Sequence, residues 1–409
     1  MAKRQRDLQC WWGEIHVADI RAPKPWDLRC RYTAEAIERW AIGTPLLSCS
    51  LPVGSRPQRA TNFFRGLLPE GRHLQAVADR AKVTTNDYFG LLARYGRDIA
   101  GAFVIVAEGD DPRPGRGSVA EYSGEDLDHE IDALSDNPLG LHEDSELSIA
   151  GVQNKLLLVE LEGGGWGRPV HGYPSTHILK IDDERFPGLV RAEAECLALA
   201  HAIGVTNAPP RLEHHSGVDC LIVKRYDRTV VDGEVVRAHQ EDSCQALDVD
   251  INASQGRGKY EAFGGPSLSQ VARLLRIHSR DSDAELEGLV KLVAYTLAIG
   301  NADLHGKNIS LLHDNEGNIS LAPAYDTVPT MMWPKLRASS AVSVAGSIDF
   351  SKITVNRIAA EADTWGLDFA RAAAAATETL EAVLGAVPDT IDREDLAAAV
   401  SARARTVLA

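Results

Sequence analysis

The chain has 409 residues, 44% hydrophobic and 25% charged, with a formal net charge of -15. Its length allows two or three domains with real cores, and its composition is that of a globular protein. The acidic balance argues against gripping nucleic acid unaided and fits a basic partner; the basic MAKRQRD at the start is a tail, too short to bind by itself.

In chain order, GEIHVADI reads as a strand and RYTAEAIERWA as a short helix that Thr33 can cap. TNFFRGLLPEGRHLQAVADRAKV and TNDYFGLLARYG have helical spacing, and AGAFVIVAEG reads as a buried strand. Residues 1–108 are therefore expected to form a small α+β unit. Pro, Gly and charge crowd residues 109–125, which read as a linker or surface loop. Residues 126–228 carry the strand-like runs KLLLVEL, THILKI and DCLIVKRY around one helix, LVRAEAECLALAHAIG, which Gly204, Pro209 and Pro210 bring to an end. From 229 to 409 the pattern is mostly helical, with a hairpin expected at 309–324.

Six cysteines, at positions 10, 30, 49, 196, 220 and 244, form no C-x-x-C pair and read as reduced, mostly buried thiols of a cytoplasmic protein. No apolar stretch follows the basic start, as a secretory leader would require. LVKLVAYTLAIG is too short to span a bilayer and carries Lys291.

The chemistry concentrates in GNADLHGKN, residues 300–308. Asp303 and Asn308 have the D-x-x-x-x-N spacing of a phosphoryl-transfer loop, in which the Asp orients a hydroxyl nucleophile and the Asn holds magnesium. Taken alone, the spacing equally fits a polar loop capping a helix. The rest of the chain supplies the missing parts. Asp326 follows the expected hairpin in APAYDT, where protein kinases carry a metal-binding Asp. Lys180 ends THILK as a strand lysine for nucleotide phosphates, and Glu193 or Glu195 on the following helix is its candidate partner. LSIAGVQNKLLLVEL offers small residues and Gly151 ahead of a strand, a turn whose N–H groups can cradle phosphate or can be a plain β-turn. A hinge is expected near LIVKRYDR, with adenine bonded to backbone groups of Lys224, Arg225 and Tyr226. The order of these parts predicts an α+β, two-lobed, protein-kinase-like fold with a small N-terminal α+β subdomain and a mostly helical C-terminal lobe.

SIAGVQNK, THILK, HQEDSCQALDV, KYEAFGGPS, NADLHGKN and APAYDT, with FFRGLLPEGR near the start, together resemble the HipA family of serine/threonine-kinase toxins of bacterial toxin–antitoxin pairs. The resemblance covers nearly the whole chain. It implies Asp303 as the catalytic aspartate, Lys180 as the ATP-phosphate lysine, and Asn308 and Asp326 as magnesium ligands. It further implies that His305, Lys307 and Tyr325 lie in the nucleotide-contacting region. Ala150, Gly151, Val152, Gln153, Asn154, Lys155 and Leu156 fall on the phosphate-cradling loop. Ser148 matches a serine that the family autophosphorylates. Glu193 aligns better than Glu195 with the helix glutamate, and Gln240, Glu241 and Asp242 are expected to buttress the site. Two departures stand out: KRYDR in place of ERFDR at the hinge, and Val152 and Asn154 where Ala and Glu are frequent. Implied partners are ATP, magnesium, a HipB-like helix-turn-helix antitoxin, operator DNA through that antitoxin, and a protein substrate such as an aminoacyl-tRNA synthetase. Two alternatives stay open. ADLHGKN also resembles the loop of aminoglycoside- and choline-type phosphotransferases, and a kinase fold can serve mainly as a corepressor.

Overall fold

The computed structural model describes residues 7–113, 117–137, 139–146, 149, 153–336 and 338–409, and the protein is α+β. It divides into two compact units. One comprises Met1–Ile181, His214–Glu241 and His313–Gly317; the other comprises Asp182–Glu213, Asp242–Leu312 and Asn318–Ala409.

The first unit opens with an antiparallel sheet in the order Gln58–Arg59, Asp27–Tyr32, Ile15–Lys24, Leu8–Trp12, Phe103–Ala107. Phe103–Ala107 pairs with Leu8–Trp12 over its full length, so the last strand of this subdomain closes on its first. Alternation sends Leu8, Cys10, Leu28 and Cys30 inward, where they meet Phe63 and Phe64 of Thr61–Gly66 and Leu91, Leu92 and Tyr95 of Tyr88–Tyr95. Thr33 caps Ala34–Arg39 by accepting the Ala36 N–H, as its position predicts.

The stretch expected as a linker, 109–125, is only partly one. Ser118–Glu121 pairs with Trp166–Val170 at the edge of a second sheet, and Ser123 caps the helix Gly124–Asp132 in a reciprocal box with Asp126. The strand is four residues long and flanked by Gly, Pro and charge, so composition concealed it. The second sheet runs in the order Arg211–His215, Val218–Lys224, His177–Ile181, Lys155–Glu160, Trp166–Val170, Ser118–Glu121.

The second unit is built around the helix Ser282–Ile299, which is buried almost all round from Leu286 onward. Leu268–His278, Val355–Thr364, Phe369–Thr390 and Glu394–Leu408 pack on it. The Ala-rich Phe369–Thr390 buries Ala372, Ala375 and Ala376, whose small side chains let helix axes approach closely. Gly300 stops the central helix at φ +72°, a left-handed conformation that glycine adopts without strain. Arg403 donates to Ala298 O (3.1 Å) and Ile299 O (2.9 Å), satisfying carbonyls that a helix end leaves open. The expected hairpin is present as Ser310–His313 and Ile319–Leu321, in a small sheet with His239–Asp242. Among the described residues no helix is long and apolar enough to cross a membrane.

Candidate active site

Two constellations, one in each unit, bring together several of the residues singled out from the sequence. In the helical unit, the loop after Gly300 is fastened by two amide side chains. Asn301 Oδ1 accepts the Asp303 N–H (2.9 Å), and Asn301 Nδ2 donates to Asp326 O (3.2 Å). Asn308 Nδ2 donates to Asp303 O (3.0 Å) and to Asp326 Oδ2 (3.3 Å). Asp303, Asn308 and Asp326 are thereby drawn together, although 23 positions separate the outer two by number. His305, Lys307 and Asn308 are buried, whereas the Asp303 side chain keeps 38% of its surface exposed.

Tyr260 donates its hydroxyl to Asp303 Oδ1 (2.9 Å), and its ring stands edge-on to His305 at 5.1 Å. His305 Nε2 lies 3.8 Å from Asp303 Oδ2. Lys307 Nζ donates to Asp242 Oδ2 (2.6 Å) in a buried ion pair that ties Asp242 to this loop. Tyr325 donates to Lys307 O (2.6 Å), which leaves its oxygen to accept from Ser310 Oγ (2.6 Å).

The donor set suits a hard cation. Because Asn308 Nδ2 is spent on Asp303 and Asp326, the amide offers its oxygen, and Asp326 adds a carboxylate. These are the residues that would hold magnesium. Asp326 has φ +54°, an uncommon conformation for any residue but glycine and one that recurs where function demands a fixed side chain.

In the other unit, Lys155 and Lys180 face each other directly across neighbouring antiparallel strands, both buried. Like charges so placed repel, and an anion between them relieves the repulsion. Arg72 Nη2 donates to Asn154 Oδ1 (2.6 Å) beside them in sequence. Burial, then Lys155 and Arg72, push the His73 imidazole down to about 4, so it stays neutral at physiological pH. Gln153 is half-buried. Ser148, Ala150, Gly151 and Val152 lie outside the described residues.

Several expectations need correction. Leu156 packs in the core with Leu127, Leu179 and Ile222 rather than forming part of an open cradle. The Arg225 N–H donates to Thr176 O (2.9 Å) and its carbonyl accepts from the Arg228 N–H (3.3 Å), so its backbone is committed to the fold. The Arg225 side chain is equally committed: it binds Asp227 through Nε (3.0 Å) and Nη2 (2.9 Å), and Ser175 Oγ through Nη1 (2.8 Å). Lys224 is exposed, and Tyr226 donates to Gln240 Oε1. Glu241 does not contact the loop after Gly300 but packs elsewhere. It is buried with His313 Nε2 (3.0 Å) and the Cys49 N–H (2.8 Å) on its Oε1, because neighbours on a strand point to opposite faces and Asp242 takes the other one. Glu193 and Glu195 are both buried on Leu189–Ala202; burial pushes the Glu195 carboxyl above its usual range. Arg72, Tyr260 and Asn301 had been given no role from the sequence, although Tyr260 sits in the KYEAFGGPS motif and Asn301 in GNADLHGKN.

The family model of the HipA-like C-terminal domain matches residues 147–391, more than half of the chain, and that of the HipA N-terminal domain matches 8–106. The chain belongs to the HipA family. A provisionally designated kinase of Sinorhizobium fredii, Y4mE, is 35% identical over 372 residues, 88% of this chain and 84% of that protein. The serine/threonine-protein kinase toxin HipA of Shewanella oneidensis is 29% identical over 319 residues, 75% of this chain and 71% of that one. A Shewanella oneidensis MR-1 structure of HipA, HipB and operator DNA matches with a TM-score of 0.81 at 25% identity, over 98% of this chain and 96% of that one. The two-lobed kinase-like architecture expected of a HipA protein is therefore the fold of this chain.

Proposed function

We propose that this HipA-family protein is an ATP- and magnesium-dependent serine/threonine protein kinase, a toxin that inhibits growth through a component of translation. The observation that carries the reading is the convergence of Asp303, Asn308 and Asp326, held by Asn301 and leaving Asp303 open to solvent. Asp303 accepts the hydroxyl proton of the incoming serine or threonine, and Tyr260 and His305 fix the direction in which its carboxylate faces. Lys155 and Lys180 receive nucleotide phosphates, whose charge offsets their mutual repulsion. Magnesium, when bound through Asn308 and Asp326, neutralises charge developing on the transferred phosphoryl group. The Lys307–Asp242 pair holds the loop against the strand end that supplies Asp242.

Transfer of labelled phosphate from ATP to protein, but not to small alcohols, by the wild-type chain and not by Asp303→Asn, tests this. Equal transfer to aminoglycosides or choline would instead identify a small-molecule phosphotransferase. A basic, helix-turn-helix antitoxin of the HipB kind is the proposed partner. The reading is supported by the -15 charge and by the Shewanella relative, which was solved with HipB and operator DNA. Operator binding should then need both proteins and weaken with salt; tight binding by this chain alone would contradict it. Autophosphorylation at Ser148 completes the proposal. It would add about -1.5 to -2 charges next to a loop that must accommodate anionic phosphates. Peptide mass spectrometry and ATP affinity of both forms decide it, and equal affinity would refute the switch.

A further inference from the structure

Three side chains far apart in sequence meet inside the first unit: Cys49, Glu241 and His313. Their ligand atoms, a thiol sulfur, a carboxylate oxygen and a ring nitrogen, all lie within 4.8 Å of one another. We propose that Cys49, Glu241 and His313 form a zinc site with one coordination position left for a water or a fourth donor.

The hydrogen bonds argue for a cation. His313 Nδ1 lies 2.9 Å from Pro45 O, and a carbonyl only accepts, so Nδ1 carries the proton. Nε2, 3.0 Å from Glu241 Oε1, is then a bare lone pair facing a carboxylate unless the ring is doubly protonated or a metal lies between them. A histidine whose other nitrogen donates to a backbone carbonyl is the orientation that metal-binding imidazoles adopt. Glu241 makes the same point. Its side chain is fully buried; Oε1 faces His313 Nε2 and accepts the Cys49 N–H, whereas Oε2 has no hydrogen-bond partner among the described residues. A buried carboxylate oxygen without a donor calls for an unseen ion or water.

The donor types select the metal. One soft thiolate, one imidazole and one carboxylate suit zinc and exclude magnesium or calcium, which take oxygen. Zinc with one thiolate and one carboxylate is electrically neutral, which a buried site favours. Cys49 is half-buried, so it provides an entry path. Zinc takes the thiolate, so binding at Cys49 releases the thiol proton. Cys49, Glu241 and His313 all belong to the first unit, so the site would tie the loop carrying Cys49 to Glu241 and His313 inside it.

The full chain, stripped with chelator, is titrated with zinc against a chromophoric competitor. The expected result is one tight equivalent, with a raised Tm. Loss of a mere supporting contact around zinc weakens binding by about 10–100-fold, so Cys49→Ser should lose roughly a hundredfold or more while its far-ultraviolet circular dichroism stays unchanged. Cobalt in place of zinc should give a thiolate charge-transfer band in the near ultraviolet that Cys49→Ser abolishes. Absence of a tight equivalent, binding that Cys49→Ser leaves intact, or a cobalt spectrum without the thiolate band overturns the site.

Discussion

Replacing Asp98 by Asn should unfold the first unit far more readily than its single lost charge suggests. Asp98 is fully buried and accepts from the Ser175 N–H (3.0 Å), Ser175 Oγ (2.7 Å) and Arg228 Nη2 (3.2 Å), with Arg225 at 3.7 Å and Arg237 at 3.9 Å. Asp227 is the second acid of this cluster and binds Arg225 and Arg228. Two carboxylates therefore serve three buried guanidinium groups, and Asp98→Asn would leave one for three. Breaking a buried pair costs about 3–5 kcal/mol, a large share of a total stability of about 5–15 kcal/mol. At about 2–4 °C per kcal/mol, Tm should fall by about 6–20 °C. Arg237→Met should do the opposite. Burial, then Arg228, push Arg237 down to about 9, and its Nε has no hydrogen-bond partner among the described residues. It is the worst-compensated charge, so its removal should leave stability within about 1 kcal/mol of wild type or raise it. The acid limb follows from the same cluster. Burial alone would raise Asp98 and Asp227, yet the arginines outweigh it and both lie below their usual range. A depressed carboxylate contributes stability that is present above the unfolded pKa of about 3.9 and is lost as pH falls through the folded value. The wild type should thus weaken in acid more steeply than Asp98→Asn. Urea titrations at several pH values measure all three effects. If Arg237→Met costs as much as Asp98→Asn, the charge-imbalance reasoning is wrong.

Asp303→Asn and Asp326→Asn should each reduce phosphoryl transfer by a factor of about a hundred to a thousand or more while preserving circular dichroism, and near-wild-type transfer by Asp303→Asn would remove it from catalysis. Tyr260→Phe frees Asp303 Oδ1 of its donor and loosens the carboxylate, so transfer should fall by about tenfold; an unchanged rate would show that the contact does not position Asp303. Arg403→Met leaves the carbonyls of Ala298 and Ile299 without their guanidinium, and about 1–2 kcal/mol of stability together with a lower transfer rate is the expected loss by calorimetry and kinase assay.

Local signals carried much of this molecule into its sequence. Thr33 as a cap, the stop at Gly300 and the hairpin after Asn308 depend on residues a few positions apart, where propensity and capping act directly. The Asp303–Asn308–Asp326 grouping was legible because loop spacing and a hairpin fix it. The failures share another cause. Glu241 and Asp242 are adjacent in HQED, yet strand alternation sends them to opposite faces, and only His313 and Lys307, remote in sequence, reveal which is which. The backbone of Arg225 reads from the sequence as a partner for adenine, yet its N–H is taken by Thr176 O, on a stretch remote in sequence. The strand Ser118–Glu121 was lost in its Gly- and Pro-rich surroundings, because pairing with Trp166–Val170 rather than propensity makes it a strand.

The backbone of Asp326 has an evolutionary consequence. At φ +54° an aspartate is strained, by roughly 1 kcal/mol, where glycine rests comfortably. Laboratory evolution that screens survivors of heat alone will therefore meet Asp326→Gly among its rewarded changes, and, on the proposed magnesium role of Asp326, the winning lineage will be sturdier and inert. On the same reading, a gene under pressure to lose a toxic activity has this exit: one codon at this position would silence it while the folded protein persists.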